Sequence, residues 1–171
     1  EFDDKGFTEM ITALELDNRV VGVLRTINDR LADAVYCEEL KVLWGRDYYM
    51  EKIMGLDFKV SAFSFFQTNV EAAERLYTEA IDLIDDFEDK NVFDLYCGTG
   101  TITQALALKA KTVTGVELVS EAVEAAKENA KLNGLDNCSF IAGDVFEVLE
   151  GLEQKPDVIV VDPPRVGIQP K

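Results

Sequence analysis

The sequence predicts an α/β fold, a parallel sheet wound by helices and preceded by a shorter β-rich segment. Three observations carry that prediction. From Val92 onward, β-branched apolar runs alternate with helical periods, which places strands near 92–96, 112–117, 138–142 and 157–161 and helices near 100–109, 120–133 and 144–152. The links between them are short, which favours parallel strands joined by helical crossovers. The first strand runs straight into the two-glycine loop Cys97-Gly98-Thr99-Gly100, and two later strands end in acids, Glu117 and Asp162.

Residues 1–63 read as β-rich. Phe7–Leu16 and Val20–Ile27 are expected as paired strands turning at Asp17-Asn18, followed by strands at Leu40–Leu43, Tyr48–Met54 and Asp57–Phe63, with Gly45 and Gly55 as punctuation. Thr68-Asn69-Val70-Glu71 has capping-box spacing, with Thr68 as the side-chain acceptor and Glu71 three residues on. The helix it opens repeats apolar residues at Leu76, Tyr77, Ala80, Ile81, Ile84 and Phe87 before fading into the acidic, solvated run Asp82–Asp89. Ser120 suits an N-cap, Ala122, Ala126 and Ala130 form a close-packing stripe, and Asn133-Gly134 suits a left-handed stop. The expected division is a β-rich part over 1–63 and a wound-sheet domain over 64–171. Four parallel strands are fewer than such a sheet usually has, and the chain starts at Glu1, so the sequence reads as a piece of a longer protein. Its apolar fourth strand is then an unpaired edge, open to self-association.

Composition narrows the chemistry. With 171 residues, 47% of them hydrophobic, the chain can bury a sizeable core. No apolar run approaches the ~20 residues a membrane helix needs, and no secretory pattern opens the chain. Cys37, Cys97 and Cys138 are widely spaced and form no Cys-x-x-Cys pair, so neither a zinc nor an iron–sulfur site is expected. An odd cysteine count without a signal sequence favours reduced thiols and a cytoplasmic location. The chain has no histidine, which excludes the usual Ser-His and Cys-His couples. Its formal charge of −16 repels a phosphate backbone, so an RNA partner would have to be met by basic residues elsewhere.

The strand ends supply the candidate site. Gly98 and Gly100 permit a tight turn in which backbone N–H groups approach a ligand. A dinucleotide fingerprint would place a third glycine where this chain has Thr103, which weakens a nicotinamide or flavin reading. Glu117, 17 residues after Gly100, can accept from both ribose hydroxyls of an adenosine. Asp144 could accept from an adenine amine or simply cap the next helix. In Asp162-Pro163-Pro164-Arg165 the prolines fix an extended turn that holds Asp162 toward the crevice. Gln67, in Ser64-Phe65-Phe66-Gln67-Thr68-Asn69, offers an amide beside two rings. Cys97 has no base near it in sequence and reads as packing.

These segments, with Asp94-Leu95-Tyr96-Cys97-Gly98-Thr99-Gly100-Thr101, Gly115-Val116-Glu117, Asn133-Gly134-Leu135 and Asp162-Pro163-Pro164-Arg165-Val166-Gly167, resemble the RNA uracil-5-methyltransferases, especially the bacterial enzymes acting on 23S ribosomal RNA. The resemblance spans about residues 41–171. It implies a Rossmann-like methyltransferase fold, truncated after four parallel strands, and S-adenosylmethionine as cofactor. By the same resemblance the cofactor is held by Gln67, Tyr96, Gly98, Thr101, Glu117, Asp144 and Asp162. It further implies a cysteine that attacks uracil C6 and a glutamate that helps remove the C5 proton, both beyond Lys171. The expectation is therefore a ribosomal-RNA methyltransferase fragment that is inactive alone. A methyltransferase for another nucleobase or a small molecule, and a nucleoside-binding module without chemistry, are the alternatives.

Overall fold

The structure is a computed structural model that describes residues 2–14, 19–27, 39–153, 155–163 and 167–168. The expected turn at Asp17-Asn18, Cys37, and Pro164-Arg165 lie outside the described residues. The chain divides into two compact units, residues 1–49 and 50–171.

In the first unit the predicted strand at Phe7–Leu16 is instead a helix, α1 (Asp4–Thr12). Asp3 caps it by accepting from the Gly6 N–H at 2.9 Å, and Phe7, Met10, Ile11 and Leu14 recur at helical spacing. That period, masked by its Thr and Ile residues, outweighs β propensity. Strand β1 (Gly22–Ile27) consequently pairs antiparallel with β2 (Glu39–Gly45) rather than with a strand before it.

The second unit begins within β3 (Tyr48–Ile53) and includes β4 (Leu56–Ser61), the strand that pairs with it. The reason is packing. Ile53, Leu56, Phe58 and Val60 share one core with Ala73, Tyr77 and Ile81 of α2 (Val70–Asp82) and with Val92, Leu106 and Val113. Two asparagine side chains fasten the open edge of β4: Asn133 Oδ1 accepts from Asp57 N–H at 2.8 Å and Asn129 Oδ1 from Lys59 N–H at 2.9 Å.

Helix α2 is capped by Asn69, which accepts from Ala72 N–H at 3.0 Å, not by Thr68. The buried face of the helix is Ala73, Tyr77 and Ile81, and Leu76 is exposed. The helix ends at Asp82, and the acidic run continues as an exposed bend with a 3-10 turn at Phe87–Asp89.

The rest is β5 (Asn91–Leu95), α3 (Thr101–Ala107), β6 (Thr112–Glu117), α4 (Ser120–Leu132), β7 (Cys138–Ala142), α5 (Val145–Gly151) and β8 (Val158–Val161). All four strands are parallel, in the order β7-β6-β5-β8. Alternation along β5 sends Val92 and Asp94 toward α3, and Phe93 and Leu95 toward Val145 of α5. Helices thus cover both faces. Val119, rather than Ser120, is the N-cap residue of α4, whose buried stripe is Val123, Ala126 and Ala130. That helix stops as expected: Leu135 N–H reaches Ala130 O and Gly134 N–H reaches Lys131 O, the paired bonds of a Schellman motif. Strand β8 lies at the sheet edge, with Ile159 and Val161 exposed.

Candidate functional site

Strand register brings the candidate residues together. Leu95 of β5 sits level with Val116 of β6 and Val161 of β8, so Tyr96, Glu117 and Asp162 leave the sheet side by side. The connection order also reverses at β5, because β6 and β7 build outward on one flank and β8 returns to the other. Open α/β sheets hold ligands in the crevice beyond the strand ends at such a reversal. A cavity of about 640 Å³ opens there.

Gln67, Tyr96, Gly98, Thr101, Glu117 and Asp162 all line this cavity. Asp144 does not; its carboxylate caps α5, accepting from Phe146 N–H at 3.0 Å and Glu147 N–H at 3.3 Å. Phe65, Ile102, Leu118 and Val119 supply apolar wall. Among the described lining residues the charged side chains are Glu117 and Asp162, with no lysine or arginine. Such a wall suits a cationic ligand and would repel a dinucleotide's pyrophosphate.

Local conformation is spent on this loop. Tyr96 has φ +67, a left-handed conformation costly for a non-glycine residue and frequent at functional sites. It is held there by N–H bonds from Tyr96 and Cys97 to Val116 O, at 2.9 and 3.1 Å. Gly98 also has positive φ, and a Cβ there would point into open space. Its N–H, expected to face the ligand, instead donates to Glu117 Oε2 at 3.0 Å. Glu117 Oε1 accepts from Val119 N–H at 2.9 Å. The carboxylate is thereby fixed at the cavity wall, and its remaining lone pairs can receive a ribose diol. Gly100 serves packing, since a Cβ there would sit 2.7 Å from Phe140 Cε1 and 2.9 Å from Ala126 Cβ.

Two residues missed in the sequence stand at this wall, Asp94 behind it and Tyr77 on it. Asp94 is fully buried; Thr103 Oγ1 donates to its Oδ2 at 2.6 Å, and its Oδ1 has no protein partner. Burial, reinforced by Asp162 and Glu117 and opposed by the Thr103 bond, pushes its carboxyl up to about 7. An acid in the middle of an otherwise apolar strand was the available signal. Tyr77 lines the cavity from the buried face of α2. Burial raises its hydroxyl above the ordinary range, Asp162 adds to this, and Gln67, which lines the same cavity, opposes it.

The described cysteines are not activated. Burial, with Asp94 and Glu117 nearby, raises the Cys97 thiol far above its usual range, and burial pushes Cys138 up to about 11. Among the described residues no group of three His, Cys, Asp or Glu side chains could hold a metal, and no helix is long and apolar enough to cross a membrane.

A Rossmann-like parallel sheet with a glycine turn and two acids, Glu117 and Asp162, at its strand ends is the fold found in S-adenosylmethionine-dependent methyltransferases. A family model described as a methyltransferase domain matches residues 86–165. A Clostridium tetani protein named an uncharacterized RNA methyltransferase is 53% identical over all 171 residues, and a like-named protein of Caldanaerobacter subterraneus is 54% identical. The chain spans 38% of the length of each. The crystal structure of Pyrococcus abyssi tRNA (uracil-54, C5)-methyltransferase in complex with S-adenosyl-L-homocysteine superposes with a TM-score of 0.71 at 28% identity, covering 88% of this chain and 36% of that one. The chain is thus similar in sequence to proteins named RNA methyltransferases, and in fold to a solved methyltransferase.

Proposed function

We propose that this chain is the donor-binding core of an RNA uracil-5-methyltransferase, which transfers the methyl group of S-adenosylmethionine to C5 of a uridine in ribosomal RNA. Supporting this reading is the single cavity shared by Gln67, Tyr96, Gly98, Thr101, Glu117 and Asp162. Glu117 would hold the ribose, Gln67 and Asp162 would hold the amino-acid end, and the Phe65, Leu118 and Val119 wall would cover the adenine. Asp144 would reach the adenine amine only while keeping its cap on α5. When bound, the cofactor supplies an electrophilic methyl on a sulfonium.

Uracil C5 is a weak nucleophile until a thiolate adds to C6. Neither described cysteine suits that task, since both thiols are pushed up by burial. The thiolate and the proton-removing base would come from outside residues 1–171, and the chain alone would bind donor without turnover. A basic surface outside this −16 chain would meet the RNA. Transfer RNA as substrate is a second reading, favoured by the Pyrococcus neighbour.

The test uses the full-length protein with tritiated methyl donor and unmodified ribosomal or transfer RNA, followed by nucleoside mass spectrometry. The expected product is 5-methyluridine in ribosomal RNA. Methylation at another base atom, or none in either RNA, overturns the reading.

A further inference from the structure

Tyr77 carries a hydroxyl that its packing does not need. It lies among Ala73, Ile81 and the hairpin residues, where phenylalanine would fill the same space. It is 5% exposed, yet it lines the cavity together with Gln67 and Asp162. Burial and those two acids, Asp162 and Asp94, keep the phenol protonated, so it is a neutral O–H donor facing an acidic cavity.

Its position along the cavity says what it would meet. Glu117 ends β6, and Asp162 ends β8 on the far side of β5. A nucleoside whose ribose sits at Glu117 therefore extends its 5′ substituent across Tyr96 toward Asp162, Gln67 and Tyr77. For the methyl donor that substituent is an amino acid, bearing an ammonium and a carboxylate. Asp162 is the complement of the ammonium. An O–H from Tyr77 and N–H groups from Gln67 are complements of the carboxylate.

We propose that Tyr77 is a positioning and specificity residue for the amino-acid end of the methyl donor, its hydroxyl joining the Gln67 carboxamide in the donor set for the carboxylate. This rests on the cavity being the cofactor site. The experiment compares calorimetric titrations of S-adenosylhomocysteine, which has the amino acid, and 5′-methylthioadenosine, which lacks it. Wild type and Tyr77→Phe are titrated alongside thermal unfolding. Tyr77→Phe is expected to bind S-adenosylhomocysteine about tenfold more weakly, the loss of one hydrogen bond to a charged group, and methylthioadenosine within about twofold of wild type. Gln67→Ala, which leaves α2 packing untouched, is expected to show the same selective loss. Equal weakening for both ligands, or none for either, overturns the assignment of Tyr77 while the cofactor reading stands. A wild-type protein that binds neither ligand overturns both.

Discussion

Replacing Asp94 by asparagine removes the ionisable side chain among the fully buried described residues. In the folded chain this carboxyl titrates at about 7 against an ordinary 3.8. Because the folded value is raised, the native state keeps a proton that the unfolded chain has released. Stability is therefore lost as pH climbs from about 4 to about 7, and levels off above. At about 1.4 kcal/mol per unit, the two units between pH 5 and 7 amount to roughly 3 kcal/mol. Asparagine keeps an acceptor for the Thr103 hydroxyl but places an N–H₂ where Asp94 Oδ1 has no partner. That mismatch costs about 1–3 kcal/mol at every pH. Urea unfolding of both proteins from pH 5 to 8.5 separates the two effects, because the surface acids titrate alike in each. The stability difference is expected to swing by roughly 3 kcal/mol in favour of the variant over that range. A difference that stays constant with pH would refute the assignment of a neutral-range carboxyl to Asp94.

Gly100→Ala forces a Cβ against Phe140 and Ala126 at φ +77, and is expected to destabilise by about 1–3 kcal/mol in chemical unfolding; unchanged stability would contradict the tight approach. Asn133→Ala leaves Asp57 N–H and Gln104 Oε1 without their partner, and about 1–3 kcal/mol of stability should go with it. A neutral outcome would mean water replaces the side chain freely. Native Cys97 should resist iodoacetamide at pH 8 until the protein is unfolded, because its thiol is buried and raised; rapid native labelling, located by mass spectrometry, would show an accessible thiolate.

The wound half of the fold was readable because its strands are apolar runs bounded by turn residues, and two of them, Thr112–Glu117 and Cys138–Ala142, have the expected ends. The ledge followed from register alone, since parallel pairing aligns the residues that leave each strand. The first helix was not readable as such. Its threonines and isoleucine imitate a strand locally, and only the Asp3 cap and the Phe7–Ile11 spacing betray it. Cap positions slipped by one, at Asn69 and at Val119, because adjacent residues compete for the same role. Asp94 and Tyr77 were overlooked for a different reason. Each sits where its element is buried, and what separates an ordinary core position from a site is the neighbouring strand end, a tertiary fact. Asp144 shows the converse: a strand-end acid that caps its own helix and does not line the cavity.

The account rests on Glu117 and its neighbours forming one receptacle for the methyl donor. Isothermal titration of the wild-type chain and Glu117→Ala with S-adenosylhomocysteine, using NAD as the control ligand, tests it most directly. The account predicts saturable one-to-one binding of S-adenosylhomocysteine, little or none of NAD, and a loss of about 1–3 kcal/mol in the variant. Equal affinity in wild type and variant, or preference for NAD, would contradict it.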